Sequence, residues 1–333
     1  MRSGSTIYDV AALAGVSPRT VSRVVNDEGG FGNATRARVL EAIDKVGYRP
    51  NMLARALVTR RTGTVGLVVP RLVDPFFAEL VDGVQAAAKA KGRTIIIAKH
   101  DDDAAEFDSI LETMSSFAVD GVIVYTPQGE RATVVKHATR GLRTVVVGTE
   151  VSDANLGSVL WDITHGATLG VEHLVRIGRR HLVMLSNTDS GNSLLPPRRE
   201  TAFRHTLQSG GLGFTEAQVV RRDPSIEGGR SAMEAVLAAG TPVDGVFAYN
   251  DAVAIGALQA LAVAGLRVPD DVALVGFNDI AMCSSLVPAL TSVRLDRVAI
   301  GREAMALLER MHTAPNGQPP VHVGVELIVR QSA

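Results

Sequence analysis

The 333-residue sequence predicts a small all-α head followed by a two-lobed α/β body built on two parallel sheets. Three observations carry this. The first 50 residues hold three short stretches with apolar residues at helical spacing, punctuated by glycine and Ser-Pro signals. From Thr64 onward, short continuous apolar runs alternate with amphipathic stretches, the pattern of parallel strands covered on both faces. Finally, "DGVIVY" at Asp120 and "DGVFAY" at Asp244 are near copies, which implies two similar lobes of about 130 residues, a usual domain size.

In the head, Thr6 precedes the periodic run Ile7, Val10, Ala11, and Asp9 follows three positions on, an Asp variant of the capping box. Gly15 supplies a residue able to take positive φ at the helix end, with Val16 turned inward to pin the turn. Ser17 caps the next helix and Pro18 takes its first position, where a missing N–H costs nothing. That helix runs to about Asn26 with Val21, Val24 and Val25 inside, leaving Arg19, Thr20, Ser22, Arg23 and Asn26 outward or on the rims. From Thr35, "TRARVLEAIDKVGY" supplies a third helix whose Val39, Ile43 and Val46 cover the first two.

A helix about 10 to 12 Å across fits the DNA major groove, where Arg bonds guanine bidentately and Thr, Ser and Asn hold phosphates. Charge points the same way. Residues 1 to 61 carry ten Lys or Arg against five acids, a surplus of five, while the whole chain is −1, so the remainder carries −6. A solvated helical hairpin is the competing reading; the glycine turn, the Ser-Pro start and the basic surplus together favour nucleic acid.

Composition narrows the classes. With 46% hydrophobic and 21% charged residues the chain is globular rather than disordered. No apolar run reaches the roughly 18 to 20 residues of a membrane span, and "MRSGSTIYD" lacks a secretory apolar core. The lone Cys283 forms no intramolecular disulfide and lacks zinc-site spacing, so a cytoplasmic location is expected.

In the body, ligands of such sheets sit beyond the carboxyl ends of the strands, so the cleft between the lobes is the expected site. Asp74, Phe76 and Phe77 follow the first strand, Trp161 follows "SVL", and Arg199 opens the helix "RRETAF". Asn250 and Asp251 follow "VFAY", and Asn278 and Asp279 follow "ALVGF". An aromatic face with an Arg and several amides or carboxylates suits a polyhydroxylated ring. Core filling is the alternative for Trp161, the single Trp of the chain. Enzymatic signatures are missing: "GGLG" at Gly210 follows a helix, and there is no Walker motif or Gly-x-Ser-x-Gly elbow. His165 and His173, eight apart on one helix, read as rim and surface residues rather than metal ligands. No enzyme activity, cofactor or metal is expected.

"TIYDVAALAGVSPRTVSRVVN", "TRARVLEAIDKVGYRPNMLARAL", "LGVEHL", "YNDAVAIGAL" and "ALVGFND" together resemble the lac repressor family of bacterial transcription regulators, over nearly the whole chain. The resemblance implies a homodimer that binds a palindromic double-stranded operator with its heads and a small effector, a sugar or a nucleobase, in a periplasmic-binding-protein-like body. It divides the chain into a helix-turn-helix domain at 1–50, a hinge helix and linker at 51–63, and an effector and dimerisation domain at 64–333. The lobes are expected at 64–161 plus 292–319 and at 162–291 plus 320–333, with crossovers near Trp161, Thr291 and Pro319.

Residue by residue, the resemblance makes Arg19 and Arg23 base readers and Asn26 a contact at the end of the recognition helix. The expected DNA-facing set is Ile7, Ser17, Pro18, Arg19, Thr20, Ser22, Arg23, Asn26, Asn51, Ala54, Arg55 and Leu57. "NMLARALV", Asn51 to Val58, is too short for an independent helix and implies a hinge that folds on the operator, with Leu57 wedged into the minor groove. A leucine packed on its own head is the other reading of Leu57. Pro18 replaces a base-reading side chain, and Gly32 and Asn33 replace the usual Ser before the third helix. The implied effector set is Asp74, Phe76, Phe77, Trp161, Arg199, Asn250 and Asn278. Asn278 and Thr149 stand where sugar-binding relatives carry Asp, so the ligand itself does not transfer. The ending "VELIVRQSA" has no leucine heptads beyond it, which favours a dimer, with no membrane partner. The expected function is a repressor of carbohydrate-related genes; a transport or chemoreceptor sugar-binding protein is the alternative, which the first 60 residues oppose.

Overall fold

The computed structural model describes residues 5–25, 29–48, 61–100, 103–125, 131–151, 153–188, 198–314 and 317–333. They form two compact units, Met1–Gly63 and Thr64–Ala333. In the first unit, α1 (Ile7–Ala14) begins where the Asp9 carboxylate accepts from the Thr6 N–H at 2.7 Å and from its hydroxyl at 2.8 Å. It ends at Gly15, whose φ of 64° returns its N–H to the helix carbonyls. Helix α2 (Pro18–Val25) starts with the Thr20 N–H donating to Ser17 Oγ at 3.1 Å. Helix α3 (Asn33–Val46) begins two residues before the expected Thr35, with Gly32 as its N-cap and no side-chain cap.

Val10, Val21 and Val39 are fully buried, with Val24, Ala11, Ala14 and Ala42 beside them, and Val16, Ile43 and Val46 close the edges half-buried. Each buried Val contributes about 1.5 kcal/mol or more, so this small core depends on all of them. The core fixes which side of α2 faces out.

The second unit holds two six-stranded sheets. The first contains β1 (Thr64–Val69), β2 (Thr94–Lys99), β3 (Gly121–Tyr125), β4 (Thr144–Val147), β5 (Leu156–Trp161) and β11 (Val321–Val323), in the order β11-β5-β4-β3-β1-β2, all parallel. The second contains β6 (Leu182–Asn187), β7 (Val219–Arg222), β8 (Gly245–Ala248), β9 (Ala273–Asn278), β10 (Thr291–Leu295) and β12 (Val325–Ile328), in the order β12-β10-β9-β8-β6-β7. It is parallel except at its edge, where β12 runs antiparallel to β10. Gly324 separates β11 from β12 and lets one extended stretch serve both sheets.

The helices are α4 (Pro75–Ala90), α5 (Ala104–Ser116), α6 (Arg131–Thr139) and α11 (Arg297–Thr313) in the first lobe, and α7 (Ile163–Arg176), α8 (Arg198–Ser209), α9 (Ile226–Ala238) and α10 (Asp251–Val263) in the second. Helices α4 and α11 approach so closely that a Cβ on Gly301 would lie 2.5 Å from the Val84 backbone nitrogen, which explains the glycines at 83 and 301. The chain crosses between the sheets after Trp161, between Leu295 and Arg297, and at Gly324. Two expected lobe boundaries therefore move: residues 292–295 belong to the second sheet because they pair with β9 and β12, and 321–323 belong to the first because they pair with β5.

The two Asp-Gly copies prove to be a structural device. Asp120 accepts from Arg93 at 3.0 Å, and Asp244 accepts from the backbone N–H groups of Arg180 and His181 at 2.8 to 3.0 Å, each fixing the start of a central strand.

Candidate functional site

The outer face of the head is a surface of donors. Arg19 and Ser17 are exposed, and Ile7, Pro18, Thr20, Ser22 and Arg23 are half-buried. The Ser17 and Thr20 hydroxyls lie 3.0 Å apart. Arg23 lies against Gly30: a Cβ there would be 2.0 Å from its Nη2, and Gly30 itself has a φ of 76°. Tyr8, next to Ile7 on α1, is 70% exposed and was not singled out by sequence; an aromatic on a basic helical head was the available signal. Asn26, Asn51, Ala54, Arg55 and Leu57 lie outside the described residues. A basic helical face of this kind can lie in a DNA groove, with Arg reading base edges and hydroxyls holding phosphates.

In the body, the first lobe brings an aromatic cluster to its strand ends. Phe76 and Phe77 open α4 and are buried with rings 5.1 Å apart; Tyr125 lies 4.8 Å from Phe77, and Trp161 lies 6.2 Å from Phe76. Gly148, at φ 88°, makes room: a Cβ there would touch the Trp161 ring at 3.1 Å and Tyr125 at 3.3 Å. Trp161 is 7% exposed, yet its indole Nε1–H is buried without a partner. Asp74 caps α4, accepting from the Phe76 N–H at 2.9 Å. Burial raises its carboxyl pKa, against the lowering effect of that bond and of Arg71 and Arg297.

The second lobe contributes Arg199 from the first turn of α8. Its guanidinium lies 4.1 Å from the centre of the Phe277 ring and 4.4 Å from that of Tyr249, which follows β8. Its Nε is buried and unpaired, as is Oδ1 of Asn187 at the end of β6. Asn250 caps α10 by accepting from the Val253 N–H at 2.8 Å and donates to the Pro224 carbonyl at 3.1 Å, so most of its amide is structurally committed. Asn278 ends β9 with a φ of 107°, half-buried, its carbonyl accepting from Arg297.

Sequence reading missed how the lobes are tied. Glu79 on α4 accepts from Arg297 at 2.6 to 2.7 Å and from the Ala281 N–H at 3.0 Å, while Arg297 also donates to the Asp279 carbonyl at 2.7 Å. Asp251 and Asp279, noted at the strand ends, prove internal. Asp279 is held by Arg294 at 2.8 Å and Arg330 at 2.6 Å; Asp251 accepts from Ser292 at 2.5 Å and from the Ile280 N–H at 2.9 Å.

His173 corrects its expectation as a surface residue. It is 5% exposed, because α7 packs that side on the second sheet, and its Nδ1 lies 2.8 Å from Arg176 Nη2; burial lowers its pKa. His165 is exposed. Among the described residues no cluster of three or more His, Cys, Asp or Glu could hold a metal, and no helix is long and apolar enough to cross a membrane.

Comparison with known proteins gives two matched regions. Residues 6–51 match the profile described as bacterial regulatory proteins, lacI family, and residues 171–333 match a periplasmic binding protein-like domain. The chain is 30% identical to catabolite control protein A of Priestia megaterium over 305 residues, 92% of each chain. It is 30% identical to the ribose operon repressor of Escherichia coli (strain K12) over 318 residues, 94% of this chain and 95% of the repressor. Among solved structures it is similar to a complex of the transcriptional regulator CelR with cellobiose, with a TM-score of 0.73, 30% identity, and coverage of 99% of this chain and 100% of that one.

Proposed function

The chain belongs to the lacI family of bacterial regulatory proteins, and we propose that it represses carbohydrate-related genes, with a sugar in its interlobe cleft setting its hold on the operator. It is a DNA-binding transcriptional regulator and not an enzyme. The observation that carries the effector reading is the pair of buried, unpartnered N–H donors at the two sets of strand ends, Trp161 Nε1 and Arg199 Nε, each beside aromatic faces. Buried donors without acceptors are costly, and a bound hydroxylated ligand relieves that cost while its C–H face meets the aromatics. The ribose repressor and the cellobiose complex among the relatives favour a sugar over a nucleobase.

Two copies of the chain, acting as a homodimer in the cytoplasm, would place two α2 helices in successive major grooves of an inverted repeat, with Arg19 and Arg23 toward the bases. Residues 51–58 would fold as a hinge on that DNA, Leu57 entering the minor groove. Ligand closing the two lobes then competes with the arrangement that grips the operator, and the coupling is reciprocal. Operator binding, titrated by fluorescence anisotropy with and without a panel of sugars and nucleobases, tests this. A sugar that releases the operator supports it; a nucleobase that does so, or DNA binding without half-site symmetry, overturns it.

A further inference from the structure

Resting on the reading of the cleft as a sugar site, we infer that the effector is an anionic sugar, one whose carboxylate or phosphate pairs with Arg199. The Arg199 guanidinium is held by the ring faces of Tyr249 and Phe277, at 4.4 and 4.1 Å, rather than by a countercharge. Among the described residues no carboxylate comes within ion-pair distance of it.

Among the described residues, the carboxylate next in the chain and those just after β8 and β9 are committed elsewhere. Glu200, the next residue, accepts from Ser186 at 2.6 Å and from Arg221 at 2.9 Å. Asp251 and Asp279 are consumed by the internal bonds already described, and β9 ends in the neutral amide of Asn278. Among the described residues the second lobe therefore offers this cationic fork no carboxylate at ion-pair distance. Arg297 does not compete for an anion because Glu79 already pairs with it. Across the cleft, Asp74 is engaged in capping α4.

A half-desolvated guanidinium gains most from an oxyanion that can take two parallel N–H bonds, and a neutral hydroxyl leaves its charge uncompensated. The other unmet groups complete the ligand's description. The Trp161 N–H needs an acceptor, and Asn187 Oδ1 needs a donor such as a sugar hydroxyl. A polyol bearing one acidic group satisfies all three.

The test is calorimetric titration of the full chain with matched sets: D-glucose, D-ribose and cellobiose against the corresponding uronates, aldonates and terminal phosphate esters. At least one acidic member should bind tenfold or more tighter than its neutral parent, a preference that Arg199→Gln abolishes and Arg199→Lys partly keeps. Tightest binding by uronates or aldonates assigns a carboxylate, and by the esters a phosphate. Neutral parents that bind as tightly as their acidic partners would overturn the anionic assignment while leaving the sugar reading intact. Binding by no member of any set, with a nucleobase binding instead, would overturn the sugar reading and this inference together. Circular dichroism of the Arg199 variants checks that they fold, and lost binding in an unfolded Arg199→Gln leaves the wild-type preference as the deciding measurement.

Discussion

Glu79 and Arg297 form a single ion pair, at 2.6 to 2.7 Å, that stands where the two lobes meet, and each partner also holds the backbone that follows β9. Arg297 is almost fully buried and carries the larger set of bonds. Its loss strands two carbonyls as well as a carboxylate, whereas Glu79→Gln removes a charge but keeps an acceptor. Glu79→Gln should cost about 1.5 to 3 kcal/mol, the range for charged hydrogen bonds, and Arg297→Met should cost more. Urea unfolding of both variants and of the double variant checks the order. Equal losses, or a double variant as unstable as the sum of the singles, would show that the two side chains act independently.

In the head, the Arg23 guanidinium lies close against Gly30. Arg23→Ala should weaken specific operator binding by about 1 to 3 kcal/mol and relax selectivity at one position in each half-site, measured by selection from random DNA. Gly30→Ala should do damage of another kind. The φ of 76° is strained for alanine, so stability falls by more than about 1 kcal/mol, while the flexible Arg23 guanidinium, 2.0 Å from such a Cβ, moves aside. An alanine variant with an unchanged melting temperature and full affinity would mean that the backbone at residue 30 adopts another conformation without cost.

What the sequence disclosed follows from what is local. Caps and turns are written in adjacent residues, so Thr6 with Asp9, Gly15, and Ser17 with Pro18 announced α1 and α2. Strand runs such as "TVGLVV" were legible because burial on both faces removes polar alternation. The last strands were not, since β11 and β12 are short edge strands with alternating exposure, and nothing local says which sheet each joins. The same holds for the cleft. Arg199 could be placed at a helix start, but its stacking on Tyr249 and Phe277, 50 and 78 residues away in sequence, exists only in the fold. The pairing of Glu79 with Arg297 spans 218 residues and leaves no signature in either segment.

Trp161 offers a direct optical reading of the cleft, because the chain has one Trp and its indole N–H is buried and unbonded. Effector binding should shift its emission and change its intensity, saturating at the same concentration that releases the operator. Gly148→Ala should blunt that response, since the added Cβ would press on the ring at 3.1 Å and the φ of 88° disfavours alanine. Release of the operator by an effector that leaves the emission untouched would move the ligand away from Trp161.

Asp251 gives the molecule a pH dependence whose sign can be worked out. Its carboxyl is fully buried between Ser292, the Ile280 N–H and Cys283, and burial pushes its pKa up to about 7, although those hydrogen bonds pull the other way; the nearby charge of Asp279 adds to the rise. In the unfolded chain it titrates near the ordinary carboxylate value of about 4. Between these two values the folded protein holds a proton that the unfolded chain has lost. Unfolding free energy from this group therefore falls as pH rises from about 4 to about 7, and is level above that. Asp251→Asn mimics the protonated acid and removes the titration, so the difference between wild type and variant isolates it from every other group. Urea midpoints measured from pH 4.5 to 8 should show the variant gaining on the wild type across the window. A flat difference, or one with the opposite slope, would mean that Asp251 is ionised within the fold and that Ser292 and Ile280 outweigh its burial.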